Sequence, residues 1–480
     1  MSLSRADYVS RDATGIAELL RSRQVSPSEV LECAIGLARD LNPKINAFVE
    51  VFDEPLSYDR DGIFSGVPFA IKDLICHAAG KKNENGSRLS KGVVAAHDTD
   101  LMKRWREAGC RTIGRTAAPE FGYCATTEPV AGKPVRNPWD VRRMAGGSSG
   151  GSGAAVAAGI VPFAHANDGG GSIRIPAACN GLVGLKTSRG RVPLGPDVGE
   201  AVNGLAVEFA LTRTIRDCAA LLDAVHGPAV GDPYQIQSPT SSYIDACRST
   251  PGPLRAALMT HPWSGAPVNE QMIEGAELAA RLCESLGHEI EVCAPALDYE
   301  AFIEATHTIW VTCVHHFVKS VANQTGRLPS LDNLEATTFA CFKEGGEIRA
   351  SALQAAFSTA NEVTRSFAQF FLGHDILITP TIATPAPPLG TLNANDSTLS
   401  ARQWTERIFT FAPFTAVFNM TGQPALSLPI HRTQSGLPVG IQFVGRPGAE
   451  HTLLQLGRQL EEIAPWPTVA PLWSSQRSVD

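Results

Sequence analysis

Between Met144 and Lys186 the chain reads MAGGSSGGSGAAVAAGIVPFAHANDGGGSIRIPAACNGLVGLK, two glycine-serine turns on either side of a small-residue apolar segment. The first turn is Gly146–Ser152 (GGSSGGS) and the second is Asp168–Arg174 (DGGGSIR). Glycine admits positive φ and lets a ligand approach backbone N–H groups closely. Two such turns, each carrying serine, therefore suit a site where hydroxyls and backbone donors converge on one substrate. A flexible linker is the plainer reading of such composition. A linker, however, does not lie between apolar segments or hold an arginine inside an apolar run, as SIRIPAA does.

Several glycine motifs compete for this stretch. A phosphate-binding P-loop requires a lysine directly after its glycines, and none is present. A dinucleotide fingerprint requires an apolar strand just before them, whereas Asn137–Arg143 (NPWDVRR) is polar. Gly146–Gly150 satisfies GxSxG, the nucleophile elbow, but no Asp-then-His pair is signalled downstream. His374, His431 and His451 stand singly and read as surface or structural residues. A second oddity lies upstream. Val67–Leu74 is apolar except for Lys72 and Asp73, and a lysine inside such a run must reach solvent, pair or lose its charge.

The 480 residues are 44% hydrophobic, enough to bury a large core without staples. Net charge is -7 and mixed along the chain, which argues against nucleic acid as a partner. Apolar segments are too short to cross a bilayer, and the polar start MSLSRADYVSRDATG leads us to expect no secretory leader. Eleven cysteines are scattered without a CxxC pair, as expected for reduced thiols in the cytoplasm. Cys313 lies near His315 and His316, but no second ligand pair at zinc spacing accompanies it, so no metal or other cofactor is expected.

Along the chain, Asp12–Gln24 reads as a helix. A second opens with the capping box of Ser26 and Glu29 and ends at Asn42-Pro43. Asn46–Phe52, Cys110–Gly114, Val183–Lys186, Arg255–Leu258, Glu289–Val292, Asp375–Thr379, Ala425–Pro429 and Val439–Val444 read as strands. Thr212–Val225, Glu270–Leu286, Ser351–Phe371 and His451–Ile463 read as helices. This alternation predicts an α/β fold, a mixed twisted central sheet with helices on both faces.

The chain resembles the amidase signature family. GVPFAIKDL (66–74), GGSSGGSGAAVAAG (146–159) and DGGGSIRIPAACNGLVGLK (168–186) resemble its lysine strand, its serine-glycine segment and its nucleophile segment, in that order. Asn419–Pro429 and Gly436–Gly448 resemble its C-terminal motifs, so the likeness spans nearly the whole chain and is weakest from about 230 to 370. The resemblance implies one domain over 1–480, with a signature core at about 66–225 and a mainly helical pocket cover at about 230–410. It also implies a Ser–Ser–Lys triad without a cofactor. Ser172 is then the nucleophile, Ser148 the bridging serine after a cis peptide at Gly147, and Lys72 the base. Gly169, Gly170 and Gly171, with the N–H of Ser172, become oxyanion donors, and Ser149, Asp168 and Arg174 orient the triad. Burial of Lys72 agrees, because lysine is a base only when neutral.

Thr126–Asp140 and Gly252–His261 resemble the branch that contains 6-aminohexanoate cyclic dimer hydrolase. That branch implies hydrolysis of linear or cyclic amides, with aryl amides, esters and carbamates (a urethanase activity) as further substrates. It expects a small-molecule substrate and allows a homodimer. Expected pocket residues are Tyr123, Cys124, Thr126 and Trp310, with Cys313, His316, Phe317 and Phe414. For each of these, core packing is the competing reading. Ile309 and Phe411 are weaker candidates of the same kind. The alternatives are the amidase subunit of a glutamyl-tRNA amidotransferase and a non-catalytic scaffold; retention of Lys72, Ser148 and Ser172 speaks against the second. Two departures stand out. Gly169 occupies a position where relatives carry threonine or isoleucine, implying a more flexible turn. The segment 52–65 is short, implying that a helix is missing and one side of the site is more open.

Overall fold

A computed structural model of the chain describes residues 3–472. Its first strands are β1 (Phe48–Val51), β2 (Pro68–Lys72) and β3 (Arg111–Thr116), followed by a hairpin of β4 (Arg136–Asn137) and β5 (Asp140–Met144). Next come β6 (Phe163–Asp168), β7 (Val183–Lys186) and β8 (Val207–Thr212). The later strands are β9 (Arg255–Leu258), β10 (Glu289–Val292), β11 (Ile376–Pro380), β12 (Ala425–Arg432) and β13 (Pro438–Gly445). All but the hairpin join in an 11-stranded sheet, in the order β1-β3-β2-β6-β8-β7-β12-β13-β11-β9-β10. Pairing is parallel among β3, β2 and β6 and among β11, β9 and β10, and antiparallel elsewhere. The sheet is mixed and flanked by helices, as the alternation predicts.

The parallel pairing of β2 with β6 decides where chemistry can occur. Phe69 faces Phe163 and Ala70 faces Ala164, so Lys72 and Asp168 close their strands at the same edge of the sheet. Ligand sites in α/β sheets form beyond the carboxyl ends of such strands. Every residue of β2 is buried, Lys72 included, which is the pattern of a parallel strand covered on both faces.

Asp12 and Ser26 cap their helices as read from sequence, and Ser26 with Glu29 forms the full capping box. The second helix runs to Ile45, past Pro43. Its last turn survives because Leu41 and Ile45 are buried and Asn46 closes it in a left-handed conformation. Thr212 ends a strand instead of starting a helix; Thr214 caps the helix Ile215–Val225. Residues 52–65 contain no helix, as their brevity implies, but the segment packs inward: Phe64 is buried, edge-on to Phe163 at 5.0 Å.

The region 230–410 is more than a helical cover, because it adds β9, β10 and β11 to one side of the sheet. Besides Tyr243–Ala246 and Glu270–Ser285, its helices are Tyr299–Thr325, Ala336–Glu347, Ala350–Gly373 and Ala401–Phe411. Tyr299–Thr325 and Ala336–Glu347 lie so close that a Cβ on Gly345 would stand 2.0 Å from the Val311 carbonyl oxygen. Gly345→Ala must push these helices apart, so it is expected to cost about 1–3 kcal/mol, read as a lowered urea midpoint at unchanged slope.

Candidate active site

Lys72 leaves β2 with no exposed surface, and its Nζ meets three oxygens: Ser148 Oγ at 2.7 Å, Ser149 Oγ at 2.9 Å and Asn167 Oδ1 at 2.6 Å. Burial pushes the ammonium down from the ordinary lysine value to about 7, against the opposing charges of Glu208 and Asp168. The surrounding hydrogen bonds dictate which partner receives which proton. Ser149 Oγ donates to the Asn167 carbonyl at 3.2 Å, so toward Lys72 it accepts. The Asn167 amide nitrogen donates to Glu208 Oε1 at 3.0 Å and to the Leu74 carbonyl at 3.3 Å, so its oxygen must be the end that faces Lys72. A neutral amine has two N–H bonds and one lone pair. Ser149 and Asn167 take the two N–H bonds, and the lone pair is left for the Ser148 hydroxyl.

Glu208 also accepts from His165 Nε2, and the Lys72 backbone N–H donates to His165 Nδ1 at 3.2 Å. Adjacent strands β2, β6 and β8 thus hold the lysine through both its backbone and its amine. Asn167, His165 and Glu208 were not expected from sequence. The only available signal was the polar pattern HAND in an otherwise apolar segment.

Ser148 follows a cis Gly147–Ser148 peptide, one residue before the cap of the helix Gly150–Ala157. A Cβ on Gly147 would stand 2.4 Å from the Thr126 carbonyl oxygen, so only glycine fits. Thr126, expected in the pocket, is instead the backbone wall behind this turn, with its hydroxyl turned to Glu128 at 2.7 Å.

The second turn is built on an ion pair with no exposed surface. Arg174 Nη2 and Nε donate to the two Asp168 oxygens at 2.8 and 2.9 Å, and the guanidinium also reaches Thr415, Asn419 and Gln442. Burial alone would raise the Asp168 carboxyl; Arg174, then Lys186 and Asn419, hold it well below the usual carboxylate range. Asp168 Oδ1 also accepts the N–H of Gly171 at 2.8 Å. That corrects the expectation for Gly171, whose donor is already used inside the turn. Among the described residues, the N–H groups of Gly169, Gly170 and Ser172 are spent on no hydrogen bond.

Ser172 lines a narrow slot of about 20 Å³, together with Gly122, Tyr123, Cys124, Trp310 and Phe409. Ser148 Oγ lies 3.3 Å from where a Cβ on Gly122, a residue of the slot wall, would stand. Tyr123 and Trp310 stack at 4.8 Å. Ile175 and Ile408, not singled out in the sequence, complete its apolar wall. The other expected pocket residues stand outside this slot. Cys313 faces the Asn203 amide, His316 is exposed, Phe317 packs edge-on against Phe121, and Phe414 is core. Trp310 points to the slot; Cys313, at i+3, lies near the same face but most of a turn further along the helix, and His316, at i+6, is turned away.

A family model described as Amidase matches residues 29–454. This chain belongs to that family. It is 37% identical over 469 residues to the 6-aminohexanoate-cyclic-dimer hydrolase of Paenarthrobacter ureafaciens, covering 95% of each chain. The enzyme of the same name from Pseudomonas sp. (strain NK87) is 36% identical over 469 residues, again with 95% of each covered. The solved structure of 6-aminohexanoate cyclic dimer hydrolase superposes with a TM-score of 0.90 at 36% identity, covering 96% of this chain and 99% of that one. A bacterial aryl acylamidase of the amidase signature family gives a TM-score of 0.85 at 25% identity, covering 95% and 96%. The chain is accordingly an enzyme, a hydrolase acting on amide bonds. Among the described residues no helix is long and apolar enough to cross a membrane.

Cutting the ion pair of this amidase leaves a buried, uncompensated Asp168. Arg174→Met should therefore destabilise the fold by about 3–5 kcal/mol, measured by urea denaturation against the parent chain.

Proposed function

We propose that this amidase cleaves small amides through an acyl-enzyme on Ser172. The observation that carries the reading is the 2.7 Å contact of a desolvated Lys72 with Ser148, which lies behind Gly122 in the wall of the slot that Ser172 lines. Ser172 Oγ attacks the carbonyl carbon while its proton passes to Ser148, and the Ser148 proton passes to Lys72 Nζ. The oxyanion is received by the free N–H groups of Gly169, Gly170 and Ser172; one such donor typically contributes ~3–4 kcal/mol to the transition state. Collapse breaks the C–N bond, and the departing nitrogen takes the proton back through Ser148. Water then attacks the ester along the same relay and frees the acid.

The slot favours slim, apolar acyl groups, either unbranched methylene chains or flat rings. The names of the relatives support cyclic and aryl amides as the first substrates, with linear amides, esters and carbamates as further candidates.

With a slowly deacylated aryl ester or carbamate, intact-protein mass spectrometry should find one acyl group on Ser172 and none in Ser172→Ala. Ser172→Ala and Lys72→Met should each lower kcat on the order of 10⁶-fold, and the double variant should be no worse than either single one. Turnover by the chain alone separates a hydrolase from an amidotransferase subunit that needs a partner. Unchanged hydrolysis in Ser172→Ala would sink the assignment.

The base must be unprotonated, so kcat/KM should rise with pH through about 7 as Lys72 loses its proton. Glu208 stabilises the charged amine. Removing that charge in Glu208→Gln makes the ammonium less stable, so the acid limb should move to lower pH, read from the profile of kcat/KM.

A further inference from the structure

Beyond the hydrolytic site, three loops bring His77, His97 and Asp197 together, with one ligand atom from each lying within 4.8 Å of the others. His77 follows β2 by five residues, His97 precedes the helix Asp100–Glu107, and Asp197 lies in the loop after β7. His97 Nε2 is 3.0 and 3.1 Å from the two Asp197 oxygens, and His77 Nε2 is 3.4 Å from Oδ2. Ligands bound to one zinc ion at about 2.0–2.1 Å stand roughly 3.3–3.4 Å apart in a tetrahedron, so both histidine–aspartate separations are close to those of a shared cation, and the two imidazole nitrogens lie within 4.8 Å of each other.

The tautomer of His77 points the same way. Its Nδ1 lies 2.7 Å from the Ile75 carbonyl oxygen, a contact that requires Nδ1 to donate. Asn83 reaches the same nitrogen at 3.3 Å, and its otherwise unpartnered Oδ1 is the end that accepts there once the amide is turned over. In the neutral ring Nε2 is then bare, and its lone pair faces an Asp197 oxygen. Two lone pairs in that position repel unless a cation lies between them. A backbone carbonyl holding the far nitrogen is also how metal-bound histidines are oriented.

We infer that His77, His97 and Asp197 form a binding site for one divalent transition-metal ion. Two imidazoles and one carboxylate select zinc-like ions over magnesium or calcium, which prefer all-oxygen shells. His97 and Asp197 are half-exposed, which opens a path for the ion and leaves a position for water. Bound there, the ion ties the loop after β2 to the two loops that carry His97 and Asp197. None of the three residues takes part in the proposed hydrolysis.

The probe is Zn²⁺, titrated calorimetrically into the full chain carrying Cys293→Ser. That change disables a second group of possible ligands, Glu291, Cys293 and His374. One equivalent should bind and raise Tm. His97→Ala and Asp197→Asn, each added to that background, should weaken binding at least tenfold and abolish the rise in Tm, with amide hydrolysis in metal-free buffer unchanged. Folding of each variant is checked by that same activity. Absence of binding, or binding that both variants leave intact, would overturn the site and leave a histidine–aspartate ion pair.

Discussion

A lysine amine withdrawn from water is the constraint around which the rest of this enzyme is arranged. An isolated ammonium cannot be buried at tolerable cost, so the group must find partners, lose its proton or do both. Lys72 does both. Its partners come from neighbouring strands and from the serine turn: Asn167 on β6, Glu208 on β8 behind it, and Ser148 and Ser149 in front. The parallel pairing of β2 with β6 makes this possible, because it brings the ends of both strands to the same edge of the sheet. Small residues in the helix Gly150–Ala157 then let the serine turn approach that edge closely.

The second constraint is the ion pair of Asp168 with Arg174, which shapes the turn carrying Ser172. Buried pairs of this kind contribute little net stability over apolar residues of the same shape, yet they enforce one geometry when every remaining donor and acceptor is satisfied. Here Thr415, Asn419 and Gln442 satisfy them, so a turn from the first half of the chain is fixed by residues just before and within the last two strands. The C-terminal segments resembling family motifs thus hold the turn of Ser172 from behind. Spending the Gly171 N–H on Asp168 follows from the same geometry: one donor of the turn holds its shape, and its neighbours remain free for a ligand.

The serine turns and Lys72 were legible because each breaks a local rule, glycine runs between apolar segments and a charge inside a buried strand. Most strands and helix caps were legible for the ordinary reasons of period and capping chemistry. The supporting polar residues were not. Glu208 and His165 lie in β8 and β6, whose polar side chains are wholly buried, so the alternation that marks a half-solvated strand is absent. Their partners are distant in sequence, 43 positions apart for His165 and Glu208, and no local pattern signals such a pairing. Pro43 misled for the opposite reason: a strong local stop signal lost to the burial of Leu41 and Ile45. Of the expected pocket residues, Tyr123 and Cys124, in the loop that adjoins the signature core, and Trp310 line the slot. Along the helix Tyr299–Thr325 an apolar run cannot say which side faces the substrate.

Gly169 shows how the variable region and the signature core depend on each other. Threonine or isoleucine at this position implied a stiffer turn in relatives, and glycine a looser one. The space beside Gly169 is occupied, however: Trp310 Cη2 and Cζ2 lie 3.2 Å from where a Cβ would sit, and Phe409 closes on Gly170 in the same way. The volume that a side chain of the turn would fill is taken by aromatic rings from the cover, and the turn stays buried. Restoring a β-branched residue at 169 would therefore displace Trp310, and with it the stack on Tyr123 that forms one wall of the slot. The width of the slot beside Ser172 is then a joint property of Gly169 and Trp310. A change of specificity in this fold has to alter both, because the glycine without the indole leaves a void and the indole without the glycine does not fit.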